Sequence, residues 1–204
     1  MDEEKSKELL FTRIKELESQ VHDLEKDLIH DTLTGLKTRA FFEEEARVYL
    51  DLTSNVNIGK RKEWFGFKNI SFLFFDIDHF KQVNDQYSHA IGDLVLQTVA
   101  KAINQSLREG DTVARWGGEE MVASLLGASE VDAKSKAEDI RTKIASLQFS
   151  ETPDLRLTIS IGVVSSTPDI KLEELIKRAD QALYFSKQNG RNRVTTFSEL
   201  PETN

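Results

Sequence analysis

The stretch Ile70-Ser-Phe-Leu-Phe-Phe-Asp-Ile77 is apolar at odd and even positions alike and has the length of a strand. Successive side chains of a strand point to opposite faces, so a strand with water on one side alternates apolar and polar residues. This one does not alternate, which places it inside a sheet covered on both sides. For a chain of 204 residues that leaves layered mixtures of helix and sheet.

The remaining pattern supplies the layers. Ile91, Leu94, Val95, Thr98, Ala102 and Ile103 mark one face of a helix that ends near Arg108. Thr112–Trp116 and Glu119–Leu126 read as short strands joined by Gly117-Gly118, a two-residue link suited to a tight hairpin. Ala133, Ala137, Ile140, Ile144 and Leu147 define another helix, and Leu157, Ile159, Ile161 and Val163 alternate as a strand. Leu172, Leu175, Ile176, Ala179 and Leu183 give a last long helix before a short closing strand, Val194–Phe197. The predicted order is β, α, β-hairpin, α, β, α, β. Hairpin and crossover helices together imply an α/β fold of the α+β kind, a mixed sheet packed with helices.

The first thirty residues follow a different rule. Leu10, Ile14, Leu17, Val21, Leu24 and Leu28 recur at alternating steps of four and three, a heptad seam with Ile14, Val21 and Leu28 at a and Leu10, Leu17 and Leu24 at d. β-Branched residues at a with Leu at d favour two parallel strands, and Arg13 would meet Glu18 across such a dimer. A single amphipathic helix laid on the globular domain is the other reading of the same pattern. The pattern takes in the chain's opening residues, which predicts a helix continuing from an upstream sensor domain missing from this chain. His30-Asp-Thr-Leu-Thr-Gly-Leu36 interrupts the seam as a hinge, and a second helix is expected from Arg39 to about Leu50. Thr53–Asn69, with Lys60-Arg61-Lys62 and the aromatics Trp64, Phe65 and Phe67, reads as a solvated loop or hairpin in preference to a nucleic-acid or partner patch.

Composition excludes several functions. Lys plus Arg number 27 against 35 Asp plus Glu, a net charge of −8, so no whole-protein positive field draws in nucleic acid. A local cationic pocket for a small phosphate ligand stays compatible with that balance. No run approaches the roughly 18 apolar residues of a membrane span, and the start lacks the apolar core of a secretory signal. With no Cys there is no disulfide framework or thiolate metal site, which fits a reducing, cytoplasmic location and no membrane in this fragment.

Asp76 and Asp78 close the first strand, and Glu119 and Glu120 open the strand after the Gly-Gly link. Acids at strand ends are either solvated or, when clustered without Cys, hard oxygen ligands for Mg²⁺ or Mn²⁺ bound together with substrate phosphates. Gly117 and Gly118 would let a bulky ligand approach the backbone.

Several separated motifs then agree in order. These are Asp31-Thr-Leu-Thr-Gly-Leu36 with Arg39, Phe74-Phe-Asp-Ile-Asp-His-Phe-Lys-Gln-Val-Asn-Asp85 and His89-Ala-Ile-Gly-Asp93. They continue with Arg115-Trp-Gly-Gly-Glu-Glu120, Ala179-Asp-Gln-Ala-Leu-Tyr184 and Lys187-Gln-Asn-Gly-Arg-Asn-Arg-Val194. Together they resemble the GGDEF diguanylate cyclase family from about Asp31 to Phe197, and so imply its nucleotidyl-cyclase, palm-like fold. The resemblance divides the chain into a coiled-coil dimerisation helix (1–30), the cyclase domain (31–198) and a tail (199–204).

The resemblance implies condensation of two GTP into cyclic di-GMP and two pyrophosphates by two domains facing each other as a homodimer. It makes Asp76, the carbonyl of Ile77 and Glu119 the ligands of Mg²⁺ or Mn²⁺, two ions per GTP site, and Glu119 the base for the ribose 3′-hydroxyl. Lys81 would stabilise charge in the transition state. Asn84 and Asp93 would read guanine, with His89, Gly117 and Gly118 lining the substrate stretch, and Lys187 and Arg191 would meet phosphates. A carboxylate accepts from guanine N1–H and the 2-amino group, and adenine offers neither donor there. Arg108 and Asp111, separated from Gly117 by the five residues Thr112–Trp116, match the family's RxxD product-inhibition site, where a guanidinium forks onto phosphate and guanine.

Two departures stand out. Met121 replaces the usual Phe, an adaptable apolar filler that keeps the acids in place. Ser88 stands where the family usually has Gly, which could use positive φ more comfortably. Three rival readings use the same residues: a receptor that binds cyclic di-GMP through Arg108 and Asp111 without catalysis, a dimerisation module, and a cyclase making a mononucleotide or mixed dinucleotide.

Overall fold

The computed structural model describes residues 2–57, 69–167 and 170–201. In chain order its elements are α1 (Asp2–Ile29), β1 (Lys37–Thr38), α2 (Arg39–Asn57), β2 (Ile70–Ile77), α3 (Phe80–Tyr87), α4 (His89–Asn104), β3 (Thr112–Gly117), β4 (Glu120–Leu126), α5 (Glu130–Ala145), β5 (Ile159–Ser165), α6 (Leu172–Gln188) and β6 (Val194–Thr196), followed by a 3-10 turn, Phe197–Glu199. The strands form one mixed sheet in the order β1-β3-β4-β2-β5-β6. β2 is antiparallel to both of its neighbours, whereas β1 and β6 run parallel to β3 and β5.

Every residue of β2 is buried, as its lack of alternation requires. Leu73, Phe75 and Ile77 join Met121, Ala123, Ile159 and Ile161 in a core with Val95, Val99 and Ile103 of α4 and Ala137, Ile140 and Ile144 of α5. Ile70, Phe72 and Phe74 point the other way, into a second core with Phe42 of α2 and Leu175, Ala179 and Leu183 of α6. Phe42, Phe72, Phe74 and Phe75 are among the largest fully buried side chains. Each contributes about 2–3 kcal/mol by leaving water, which sets the sheet between two helical layers. Gly162 brings α6 close: a Cβ there would lie 2.0 Å from the Ala179 carbonyl oxygen and 2.4 Å from the Leu183 nitrogen. A Ser129/Asp132 capping box starts α5.

The structure corrects several expectations. The hairpin turn is Gly118-Glu119, with Gly117 still in β3 and paired with Glu120, because Gly118 takes φ +54°. Glu119 therefore sits in the turn and does not open the strand. Between β2 and the helix expected from Ile91 lies a further helix, α3, which the apolar pattern does not mark and which buries Phe80 and Val83. α4 stops at Asn104, short of Arg108. α2 continues past Leu50 to Asn57, so Thr53 is helical, and Lys60, Arg61, Lys62, Trp64, Phe65 and Phe67 lie outside the described residues.

α1 is one continuous helix. Leu10, Ile14, Leu17 and Leu28 are 64%, 51%, 44% and 72% exposed, so these seam positions do not lie on the globular domain. The side chains of Val21 and Leu24 fall outside the described residues. Arg13 pairs with Glu16 of its own helix at 3.0 Å. Among the described residues no helix is long and apolar enough to cross a membrane.

Candidate active site

Asp76 is the last polar residue of β2, and its Cα partner on β4 is Glu120. Residues directly opposite in an antiparallel pair share a face. Even-numbered residues of β2 face α6, so both carboxylates lie on that side, with Glu119 next to them in the hairpin turn. Lys187, in the last turn of α6, places Nζ 2.7 Å from Asp76 Oδ2. The structure thus brings Asp76, the adjacent Glu119 and Glu120, and Lys187 together from three stretches far apart in sequence.

The electrostatics follow from that crowding. Burial pushes the Asp76 carboxyl above its ordinary value. Lys187 pulls it down, while the charges of Glu119 and Asp78 add to the upward push. Burial also raises Glu120, helped chiefly by the charge of Asp76 and opposed by Lys187. Asp180 of α6, whose role was not legible in the sequence, adds to the same negative field. Carboxylates that resist ionisation beside one another attract a cation. The donors are all oxygen, which suits Mg²⁺ or Mn²⁺, and Lys187 already stands as a cation on one of them. Among the described residues no three His, Asp or Glu side chains form a cage, so an ion held by Asp76, Glu119 and the Ile77 carbonyl would complete its shell with water and substrate oxygens.

Asp78 has a different environment. It is 5% exposed and accepts hydrogen bonds from Ser160 Oγ and Thr158 Oγ1, both at 2.7 Å, and from the Asn192 amide at 3.0 Å. Those donors fill it, so it acts as an internal fastening and not as a ligand.

α3 follows directly on the end of β2, and α4 packs on the face of the sheet opposite to α6. Lys81, His89 and Asp93 are exposed and Asn84 is half-buried. Asn84 leans on Gly92, where a Cβ would lie 2.0 Å from its Oδ1. Ser88 joins the two helices with φ 126° and ψ 164°, a conformation that favours glycine. Met121 is 1% exposed and fills the core beneath the acids. Gly117 and Gly118 are exposed at the hairpin tip, and Arg191 is exposed in the turn after α6.

Arg115 organises that tip. Its Nε and Nη2 donate to the Gly118 carbonyl at 3.1 and 2.9 Å, and its Nη1 meets the Asp31 carboxylate at 3.2 Å. Its signal was its place two residues before Gly117, but the partner Asp31 is 84 residues away.

Arg108 and Asp111 lie at the opposite end of the hairpin, roughly 17 Å away at about 3.3 Å per residue over the length of β3. Arg108 Nε is 3.5 Å from Asp111 Oδ1, and its guanidinium also donates to the Leu126 carbonyl. They border a groove of about 310 Å³ with Leu107, Leu125, Asp132 and Lys136. This pair is therefore separate from the acidic cluster.

Comparison with known proteins agrees with this geometry. Residues 28–193 match the family described as "Diguanylate cyclase, GGDEF domain". Diguanylate cyclase A of Treponema denticola is 42% identical over 175 residues, 84% of this chain and 45% of that protein. Diguanylate cyclase DgcM of Escherichia coli is 39% identical over 184 residues, 90% of this chain and 41% of that protein. The chain thus spans less than half the length of these relatives. Among solved structures, the coiled coil and GGDEF domain of DgcB from Caulobacter crescentus in complex with c-di-GMP superposes with a TM-score of 0.82. It is 27% identical and covers 96% of this chain and 100% of that one. The active GGEEF domain of a diguanylate cyclase from Vibrio cholerae gives 0.71 at 29% identity, covering 81% and 98% of the two chains.

Proposed function

The chain belongs to the GGDEF diguanylate cyclase domain family, and from that premise we propose that it condenses two GTP molecules into cyclic di-GMP. The observation that carries the reading is the pairing of Asp76 with Glu120 across β2 and β4, beside Glu119 in an exposed turn and Lys187 on α6.

Each domain holds one GTP. The ribose 3′-oxygen of one attacks the α-phosphorus of the other, the bond to pyrophosphate breaks, and a second identical step closes the ring, releasing two pyrophosphates in all. Glu119 takes the hydroxyl proton, and Lys81 and Lys187 oppose charge on the phosphates with Arg191. Asn84 and Asp93 read the guanine edge, His89 lines the same stretch, and the bare backbone of Gly117 and Gly118 admits the nucleotide. Mg²⁺ or Mn²⁺, held by Asp76, Glu119 and the Ile77 carbonyl, supplies charge neutralisation and a more acidic hydroxyl. Most of the acceleration is positioning.

Facing domains require a dimer. The seam of α1 supports a parallel coiled coil, because Leu10, Ile14, Leu17 and Leu28 are exposed in a single chain; Val21 and Leu24 complete its sequence pattern. On this reading residues 1–30 dimerise, 31–198 catalyse and 199–204 form a tail. An upstream sensor shifts the population of reactive pairs through the helix, in the cytoplasm. Arg108 and Asp111 bind the product and limit turnover.

The test is nucleotide chromatography after incubation with GTP and Mg²⁺, beside Glu119→Ala, at two protein concentrations. Cyclic di-GMP from the parent alone, rising faster than linearly with concentration, is the expected result. Absence of product at any concentration, with cyclic di-GMP still bound, would replace the cyclase by a receptor.

A further inference from the structure

We propose that Asp78 is a positioning residue that holds the turn Gly190–Asn192, and through it Arg191, in the shape that meets the substrate's phosphates; the inference rests on the GTP reading above. Gly190, Arg191 and Asn192 take φ of 104°, 58° and 45° in succession. Residues other than glycine rarely adopt such angles, and two in a row persist only where the surroundings over-determine them.

The surroundings here are specific. Asp78 Oδ2 accepts from the Asn192 amide at 3.0 Å, and Asn192 Oδ1 accepts from Arg141 Nη1 at 2.8 Å. On the near side the Arg191 amide donates to the Ser186 carbonyl at 3.1 Å, and on the far side the Arg193 carbonyl accepts from Ile161 at 2.9 Å. Arg191 is thus clamped by its backbone while its side chain is exposed. Asp78 is itself immobilised, since Ser160 and Thr158 each donate to it at 2.7 Å and its own amide donates to the Thr158 carbonyl at 2.9 Å.

A carboxylate is the group this position calls for. Three donors converge on it, two of them on Oδ2, and a side chain with no acceptor there would leave the Asn192 amide unpaired. Asp76 and Asp78, two residues apart, therefore reach Lys187 and Arg191 by different routes. Asp76 meets the side chain of Lys187, and Asp78 sets the backbone under Arg191.

Calorimetry with a non-hydrolysable GTP analogue and Mg²⁺ tests this on the full chain. Asp78→Ala and Arg191→Ala should each weaken binding by about tenfold, and the double variant should bind no more weakly than Arg191→Ala alone. Parent-like affinity of Asp78→Ala, or losses that multiply in the double variant, would overturn the inference while the GTP reading stands. A parent chain that does not bind the analogue would remove both. Hydrogen exchange on the parent gives a reading that needs no variant: the Asn192 amide should exchange slowly, and exchange at the rate of a free amide overturns the proposal.

Discussion

Arg115 lays one guanidinium nitrogen across both carboxylate oxygens of Asp31, with Nη1 3.3 and 3.2 Å from them. Its other edge holds the carbonyl of Gly118. The loop that follows α1 and the turn that carries Glu119 are thereby fastened to one side chain. Asp31 also accepts from the amide and hydroxyl of Thr34, at 2.8 and 2.7 Å. Burial pushes its carboxyl up, but the bonds from Thr34 and the charge of Arg115 outweigh that and hold it below its ordinary 3.8.

The sign of the linkage follows. A carboxylate depressed in the folded state stabilises the fold above its unfolded value, and that contribution is lost as pH falls through the folded value. Asp31→Asn should cost about 1–2 kcal/mol at neutral pH, since hydrogen bonds to a charged group are worth more than neutral ones. The cost should shrink below about pH 4. Urea unfolding at a series of pH values checks this: parallel curves for parent and variant down to the lowest pH would contradict it. Turnover should fall with the looser Glu119 turn.

Ser88 carries a second prediction. At φ 126° and ψ 164° its Cβ is strained, and its side chain makes no capping bond to α4. Ser88→Gly relieves strain of roughly 1–3 kcal/mol and concedes part of that to the freer unfolded chain. A net gain of about 1 kcal/mol, seen as a higher urea midpoint at unchanged slope, is expected. A lower midpoint would mean that the serine is held by something other than its backbone.

Gly92 lets affinity be separated from stability. A Cβ there would meet Asn84 Oδ1 at 2.0 Å and Asn84 Cγ at 3.0 Å, the end of a side chain that can swing away. Gly92→Ala should therefore keep the fold within about 1 kcal/mol, aided by the better helix propensity of Ala. Asn84 would leave its place, and affinity for a GTP analogue should fall by about tenfold. Calorimetry beside thermal unfolding distinguishes this from a general loss of structure.

What the sequence made legible follows from signal strength. β2 was plain because eight buried residues left no polar alternation. α3 was not, since only Phe80 and Val83 of its eight residues are buried and such a pattern matches a loop as well as a helix. β1, two residues long, has no period at all. The hairpin was misplaced by one residue because Gly117 and Gly118 look alike in sequence and differ only in φ. Asp76 and Asp78 were likewise indistinguishable, two acids at the end of one strand. Their partners separate them: Lys187 across from the first, and Ser160, Thr158 and Asn192 around the second. Those partners lie about a hundred residues downstream, beyond the reach of local pattern.

Lys187 gives the last prediction. Its ammonium sits 2.7 Å from Asp76 Oδ2, an oxygen of the carboxylate proposed to bind a divalent ion. Two cations on one carboxylate repel each other, so lysine and metal compete until a nucleotide brings phosphates for both. Lys187→Met keeps most of the side chain's length and removes the charge, leaving Asp76 beside Glu119 and Glu120 without a counter-ion. Two responses of opposite sign should follow. Mg²⁺ alone should raise the melting temperature more in the variant than in the parent, because the ion meets no competitor. A GTP analogue should bind about tenfold more weakly, because one phosphate contact is gone. If Mg²⁺ response and nucleotide affinity fall together, Lys187 is only a strut for the site; if Mg²⁺ alone moves neither protein, the oxygen cluster recruits its ion solely with the nucleotide.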